Sequence, residues 1–81
     1  MQNKKVPIGH IMSAKDMGKA IQAKRKEDGL TQFDAAALCG VGPRFLGELE
    51  GGKETAQIGK ILRIVHGLGL ELHITSKTIP R

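Results

Sequence analysis

Pro43, Arg44 and Gly47 place a ring, a cation and a residue without a side chain on one face of a short segment, while Phe45, Leu46 and Leu49 fall on the other face at helical spacing. The apolar stripe must pack inward. The opposite face then carries little that projects, so a helix could lie in a groove with its backbone close to another molecule. A guanidinium in that position can point at base edges in the major groove. This is recognition by hydrogen bonding, without bond cleavage. No nucleophile stands beside a base, no paired carboxylates suggest a cleft, and Gly51-Gly52-Lys53 lacks the upstream glycine and strand of a phosphate loop. The residues describe a binding protein, not an enzyme.

Two short helices with a tight break between them would position that face. Thr31 is a hydroxyl N-cap, and residues 32–39 follow without glycine, proline or a β-branched side chain. Gly40 can take the positive φ of a C-terminal cap. Gly42 and Pro43 then open the next helix, with Pro43 in the first turn where its missing N–H costs nothing. The stretch 31–53 reads as a helix-turn-helix with a DNA-recognition helix second.

Upstream, Ser13 and Asp16 form a variant capping box, and a helix is expected over about 14–28 with Met17, Ala20 and Ile21 on its apolar stripe, continued by Lys24, Arg25 and Asp28. Lys19, Lys24, Arg25 and Lys26 make it strongly basic, which either a solvated face or phosphate contact would explain. Arg25 lies one turn beyond Ile21, and Glu50 one turn beyond Leu46, so two opposite charges aim at the same interior. An unpaired buried charge would cost several kcal/mol or more, and a hydrogen-bonded pair offsets most of that. The spacing predicts a structural Arg25–Glu50 ion pair.

Downstream, Thr55 is a second cap candidate. Ile58, Ile61, Leu62 and Val65 form the expected core stripe of a further helix, and Ile64 and Leu68 widen it beyond what a small helical core requires. The period then switches: Leu70, Leu72 and Ile74 alternate with Glu71, His73 and Thr75, as in a half-buried strand. Such a strand needs a mate. The same strand of a second copy, antiparallel across a two-fold axis, is one source; residues 5–8 of the same chain are another, and both could share one sheet. Ile64, Leu68, Leu70, Leu72 and Ile74 are therefore the expected dimerisation residues.

The chain has 81 residues, enough for one small core. Thirteen Lys and Arg against eight Asp and Glu give +5, which favours a polyanionic partner. With no Trp or Tyr and two Phe, duplex DNA suits this chain better than unpaired bases stacked on aromatic rings. Cys39 cannot form an internal disulfide, and no apolar run marks a signal or membrane segment, so a cytoplasmic location is expected. His10, His66 and His73 are scattered singly, and neither metal nor cofactor is assigned.

With these residues assembled, the chain resembles the XRE group of Cro and lambda-repressor-like helix-turn-helix proteins and, within it, the HipB-like antitoxins. The resemblance rests on Gly29-Leu30-Thr31-Gln32, Gly40-Val41, Leu46, Leu49-Glu50 with Gly52-Lys53, and the stretch ending Leu68-Gly69-Leu70-Glu71-Leu72. It covers about residues 16–74. It implies a mainly α fold: a four-to-five-helix lambda-repressor-like domain at 13–69, preceded by an arm at 1–12 and followed by a dimerisation strand at 70–76 and a basic tail at 77–81.

By the same likeness, Thr31 and Gln32 stand at the DNA-facing start of the second helix, where Gln32 would grip a phosphate. Gly42, Pro43, Arg44 and Gly47 match groove-facing positions, and Lys53 a backbone-contacting one. Family members often carry Ser, Thr or Gln at the places of Gly42, Pro43 and Gly47, which leaves base reading mostly to Arg44, with Glu48 second. Phe33 replaces a usual polar residue and Ala35 a usual large aliphatic one. Phe33 is expected in a shifted core, the alternative being an exposed anchor for a partner. HipB likeness further implies a homodimer that represses its own operon at a palindromic operator and binds a HipA-type Ser/Thr kinase toxin. A module that neutralises another toxin, such as an mRNase, and a stand-alone repressor are the alternatives.

Overall fold

Residues 9–77 are described by a computed structural model and form four helices: α1 Ala14–Glu27, α2 Gln32–Cys39, α3 Pro43–Glu50 and α4 Ile58–Gly67. Residues 1–8 of the expected arm at 1–12, their pairing with the C-terminal segment, and the expected tail beyond residue 77 lie outside the described residues.

Local chemistry sets most helix ends. Ser13 Oγ accepts from the Asp16 N–H at 3.0 Å, and the Asp16 carboxylate accepts from Met12 N–H at 2.9 Å, one residue earlier than the usual reciprocal bond. Thr31 Oγ1 accepts from Asp34 N–H at 3.0 Å. Gly40 ends α2 with φ 72°, and the next N–H, of Val41, returns to the Ala36 carbonyl at 3.0 Å. Helix α4 departs from expectation. Its N-cap is Gln57, with no side-chain cap bond, and Thr55 sits in the turn before it.

The core is built from Ile21, Ala35, Ala36, Cys39, Leu46, Leu49, Ile64 and Leu68, with Met17, Phe45, Ile61 and Leu70 packed against it. Burying Ile21, Leu46, Leu49 and Ile64 completely contributes about 1.5–3 kcal/mol each. α3 packs against both α1 and α2, and α4 against α2. Glycines permit two of these approaches. A Cβ at Gly18 would overlap the Leu49 carbonyl oxygen, and one at Gly67 would reach Cys39 Sγ at 2.5 Å.

The packing of α4 overturns two expectations. Ile64 and Leu68 are buried in the chain's own core, so they are not a surplus offered to a second copy. Ile58, assigned to the core stripe, is 61% exposed. Leu70 is also drawn inward: its N–H caps α4 through the Val65 carbonyl at 2.8 Å, and its side chain is half-buried. Residues 71–77 are exposed and form no strand among the described residues; Leu72 and Ile74 remain on the surface. No described helix is long and apolar enough to cross a membrane.

Candidate nucleic-acid interface

α3 is amphipathic in the expected sense. Leu46 and Leu49 are buried behind it, and Gly42, Pro43 and Arg44 stand exposed in front, the Arg44 side chain at 91%. Gly42 is the N-cap and Pro43 the first helical residue, so the helix starts without a side-chain cap and its first turn is open to solvent. Phe45 is half-buried at the flank, with Lys60 Nζ 5.4 Å from its ring centre.

Glu48 holds the two cations expected to meet DNA. Its Oε2 accepts from Arg44 Nε at 3.3 Å, and its Oε1 accepts from Lys53 Nζ at 3.1 Å. The hydrogen bond from Lys53 is the main reason the Glu48 carboxyl is held below its ordinary range; desolvation opposes it, and the Arg44 bond and the two nearby positive charges add to the lowering. Thr31 is committed as a cap at the exposed start of α2.

Gln32 is not free, as a phosphate grip would suggest. Its Nε2 donates to Glu50 Oε1 at 2.9 Å, and its Oε1 lies where a side chain on Gly47 would go, 3.3 Å from an ideal Cβ. Gly47 is therefore half-buried against α2, less open than Pro43 and Arg44.

Behind this face the predicted ion pair is present. Arg25 Nε donates to Glu50 Oε2 at 2.6 Å and Nη2 to Oε1 at 3.0 Å, with both side chains nearly inaccessible. Gln22 adds a bond to Oε1 at 3.3 Å, and Arg25 Nη1 reaches the Leu30 carbonyl at 2.7 Å. Burial alone would raise the Glu50 carboxyl. The hydrogen bonds from Arg25 and Gln32, the Arg25 charge and the Gln22 bond outweigh that and hold it low, while the same bond raises Arg25. One carboxylate thus ties α1, α2 and α3 together.

The sequence reading missed Gln22 and Lys15. Gln22 lies one turn from Gly18 and Arg25, a spacing that gave the signal. Lys15 is brought beside Gly52, whose ideal Cβ would sit 3.3 Å from Lys15 Cα, a neighbour that only the packing of α1 reveals. Phe33, expected in the core, is 69% exposed, and Leu38 on the same helix is 61% exposed. Cys39 is buried, with Sγ 3.8 Å from the Ile64 carbonyl and its thiol pushed up by burial.

Two short helices joined at a left-handed glycine, the second buried on one side and bare on the other, define a helix-turn-helix protein. The chain is 44% identical over 64 residues to the uncharacterized HTH-type transcriptional regulator y4mF of Sinorhizobium fredii, a match covering 79% of this chain and 84% of that protein. It belongs to the HTH-type transcriptional regulators. No family model matches it. Among solved structures it is similar to HipB in an O4 20mer complex and to a chain of a HipA–HipB–O2–O3 complex, each at TM-score 0.79 and 18% identity, covering 88% of this chain and all of the other. At that identity the likeness establishes a HipB-like fold.

Proposed function

We propose that the chain is a sequence-specific DNA-binding repressor that acts as the antitoxin of a type II toxin–antitoxin module. In this reading it autorepresses its operon as a homodimer at a palindromic operator and neutralises a HipA-type Ser/Thr kinase. The observation that carries the DNA half is the placement of α3: Leu46 and Leu49 anchor it from behind, and Pro43 and Arg44 are left bare. Likeness to a chain of a HipA–HipB–O2–O3 complex supports the toxin half. Arg44 reads bases, Lys53 and the N-terminus of α2 at Thr31 and Gln32 meet phosphates, and two α3 helices sit about 34 Å apart on one side of the duplex. Gln32 engages phosphate only by sharing or releasing its bond to Glu50.

The test is a gel shift with the chain's own upstream DNA, alone and with the product of the neighbouring gene. If each subunit neutralises about three phosphates, log affinity falls with log salt at a slope of about −5. A flat salt response contradicts the reading. Arg44→Ala should relax sequence preference at about 1–3 kcal/mol, whereas Lys53→Ala should weaken binding through a lost phosphate contact and reduce the salt slope by about one.

A second reading is favoured by a specific observation. Phe33 and Leu38 stand exposed on either side of the outward face of α2, and exposed large apolar side chains suit a protein partner, with DNA binding secondary. Loss of toxin binding in Phe33→Ser with unchanged DNA affinity would favour this second role for α2.

A further inference from the structure

Glu48 lies among groups that would meet DNA but carries the charge that phosphates repel. Of the α3 residues on the outward side, Pro43, Arg44, Gly47 and Glu48, only Arg44 and Glu48 have hydrogen-bonding side chains. The carboxylate sits between two cations, accepting from Arg44 at 3.3 Å and from Lys53 at 3.1 Å. Exposed pairs of this kind are weak in water, so the cations can leave when a better acceptor arrives. What then matters is the carboxylate left behind.

An ionised glutamate accepts hydrogen bonds and donates none. In the major groove cytosine and adenine offer it an amino group, whereas guanine and thymine offer acceptors and, for thymine, a methyl group. Over cytosine or adenine, Glu48 gains a donor and releases Arg44 to a base and Lys53 to a phosphate. Over any other edge it has two poor choices. It can keep both cations and deny them to the DNA, or give them up and remain an unpaired negative charge between phosphate rows. Both choices weaken binding.

Resting on the DNA-binding reading above, we infer that Glu48 is a specificity determinant that works mainly by penalty: it withholds Arg44 and Lys53 from duplexes that lack an amino donor beneath it. It suppresses non-specific binding more than it strengthens specific binding.

The experiment selects duplexes from a random-sequence pool with the wild-type chain and with Glu48→Gln, and checks that both unfold at similar temperatures. Affinities are then measured for the wild-type-selected duplex and for a scrambled duplex of the same composition, at two salt concentrations. Glu48→Gln should bind the scrambled duplex on the order of tenfold more tightly, with a salt slope steeper by about one to two. Its affinity for the selected duplex should change less than about threefold, so the specificity ratio falls. Cytosine or adenine at one position of each half-site in the wild-type pool should give way to mixed bases. Glu48→Ala must also tighten scrambled binding, which separates the lost charge from new bonds made by glutamine. Unchanged or weaker scrambled binding in either variant overturns the inference while leaving the DNA-binding reading standing. If the wild-type chain enriches no sequence and binds neither duplex, both fall.

Discussion

Arg25 on α1 and Glu50 at the end of α3 meet side-on, through bonds of 2.6 and 3.0 Å, in an interior that leaves both almost without solvent. Removing either partner leaves a buried charge without its counter-ion, and Glu50→Ala or Arg25→Met should each cost about 3–5 kcal/mol. In a domain of this size that is a large share of the total stability. The double variant Arg25→Met/Glu50→Leu should recover most of the loss, because two apolar side chains of similar volume suit the site. Denaturant unfolding of the four proteins tests this; additive losses in the double variant would contradict it.

The same pair fixes an acid response. Glu50 has a lowered pKa in the folded chain and an ordinary value of 4.5 when unfolded. Below 4.5 the unfolded state therefore binds more protons, and stability falls as pH drops from there through the lower folded value. Above 4.5 the contribution is complete. Thermal unfolding between pH 6 and pH 2.5, buffer conditions set by this window, should show a smaller acid loss in Arg25→Met/Glu50→Leu than in the wild type. Equal losses would assign the acid sensitivity elsewhere.

Gly18 faces the end of α3 with no room for a side chain, since a Cβ would overlap the Leu49 carbonyl oxygen and lie 2.9 Å from that of Glu50. Both obstacles are backbone and cannot swing aside. Gly18→Ala should separate α1 from α3 and cost about 1–3 kcal/mol, the range of an overpacked core. Gly59, in α4 with nothing within 4 Å of its ideal Cβ, is the control; Gly59→Ala should be neutral or stabilise by up to about 1 kcal/mol. Similar melting shifts for the two variants would contradict the assigned close approach.

How far such features can be read from sequence depends on whether their causes are local. The caps at Ser13 and Thr31 and the left-handed Gly40 follow from a few adjacent residues, and they form as read. The Arg25–Glu50 pair was legible because each charge continues an apolar stripe. Helix α4 was not, because Ile58, Ile61, Leu62, Ile64, Val65 and Leu68 form one stripe about 160° wide at ~100° per residue, and spacing does not say whether its Ile58–Leu62 side or its Ile64–Leu68 side centres on the core. Its inward side goes with the close approach of Gly67 to Cys39, a tertiary contact that sequence spacing does not encode. Phe33 was legible but misjudged: Ala35, Ala36 and Cys39 already define an inward stripe of small residues, and position 33 lies off it. Gly18 continues the stripe of Ile21 and Arg25 and was passed over because it has no side chain to count.

The segment after α4 bears on assembly. Glu71 and His73 pair at 2.9 Å, and the sequence alternates these polar residues with Leu72 and Ile74. Ile74 is 93% exposed, and the segment makes no sheet ladder among the described residues. An antiparallel mate from a second copy would cover Leu72 and Ile74 and satisfy one backbone edge. With Ile64 and Leu68 committed to the core, these two residues carry the proposed dimer contact, helped at its margin by half-buried Leu70. Leu72→Asp/Ile74→Asp should leave helical circular dichroism unchanged and convert a dimer to a monomer in sedimentation equilibrium. It should also weaken DNA binding far more than a single subunit's contacts predict, since two half-sites would no longer be held together. A wild-type chain that sediments as a monomer, or a variant that remains dimeric, would remove this segment from the assembly.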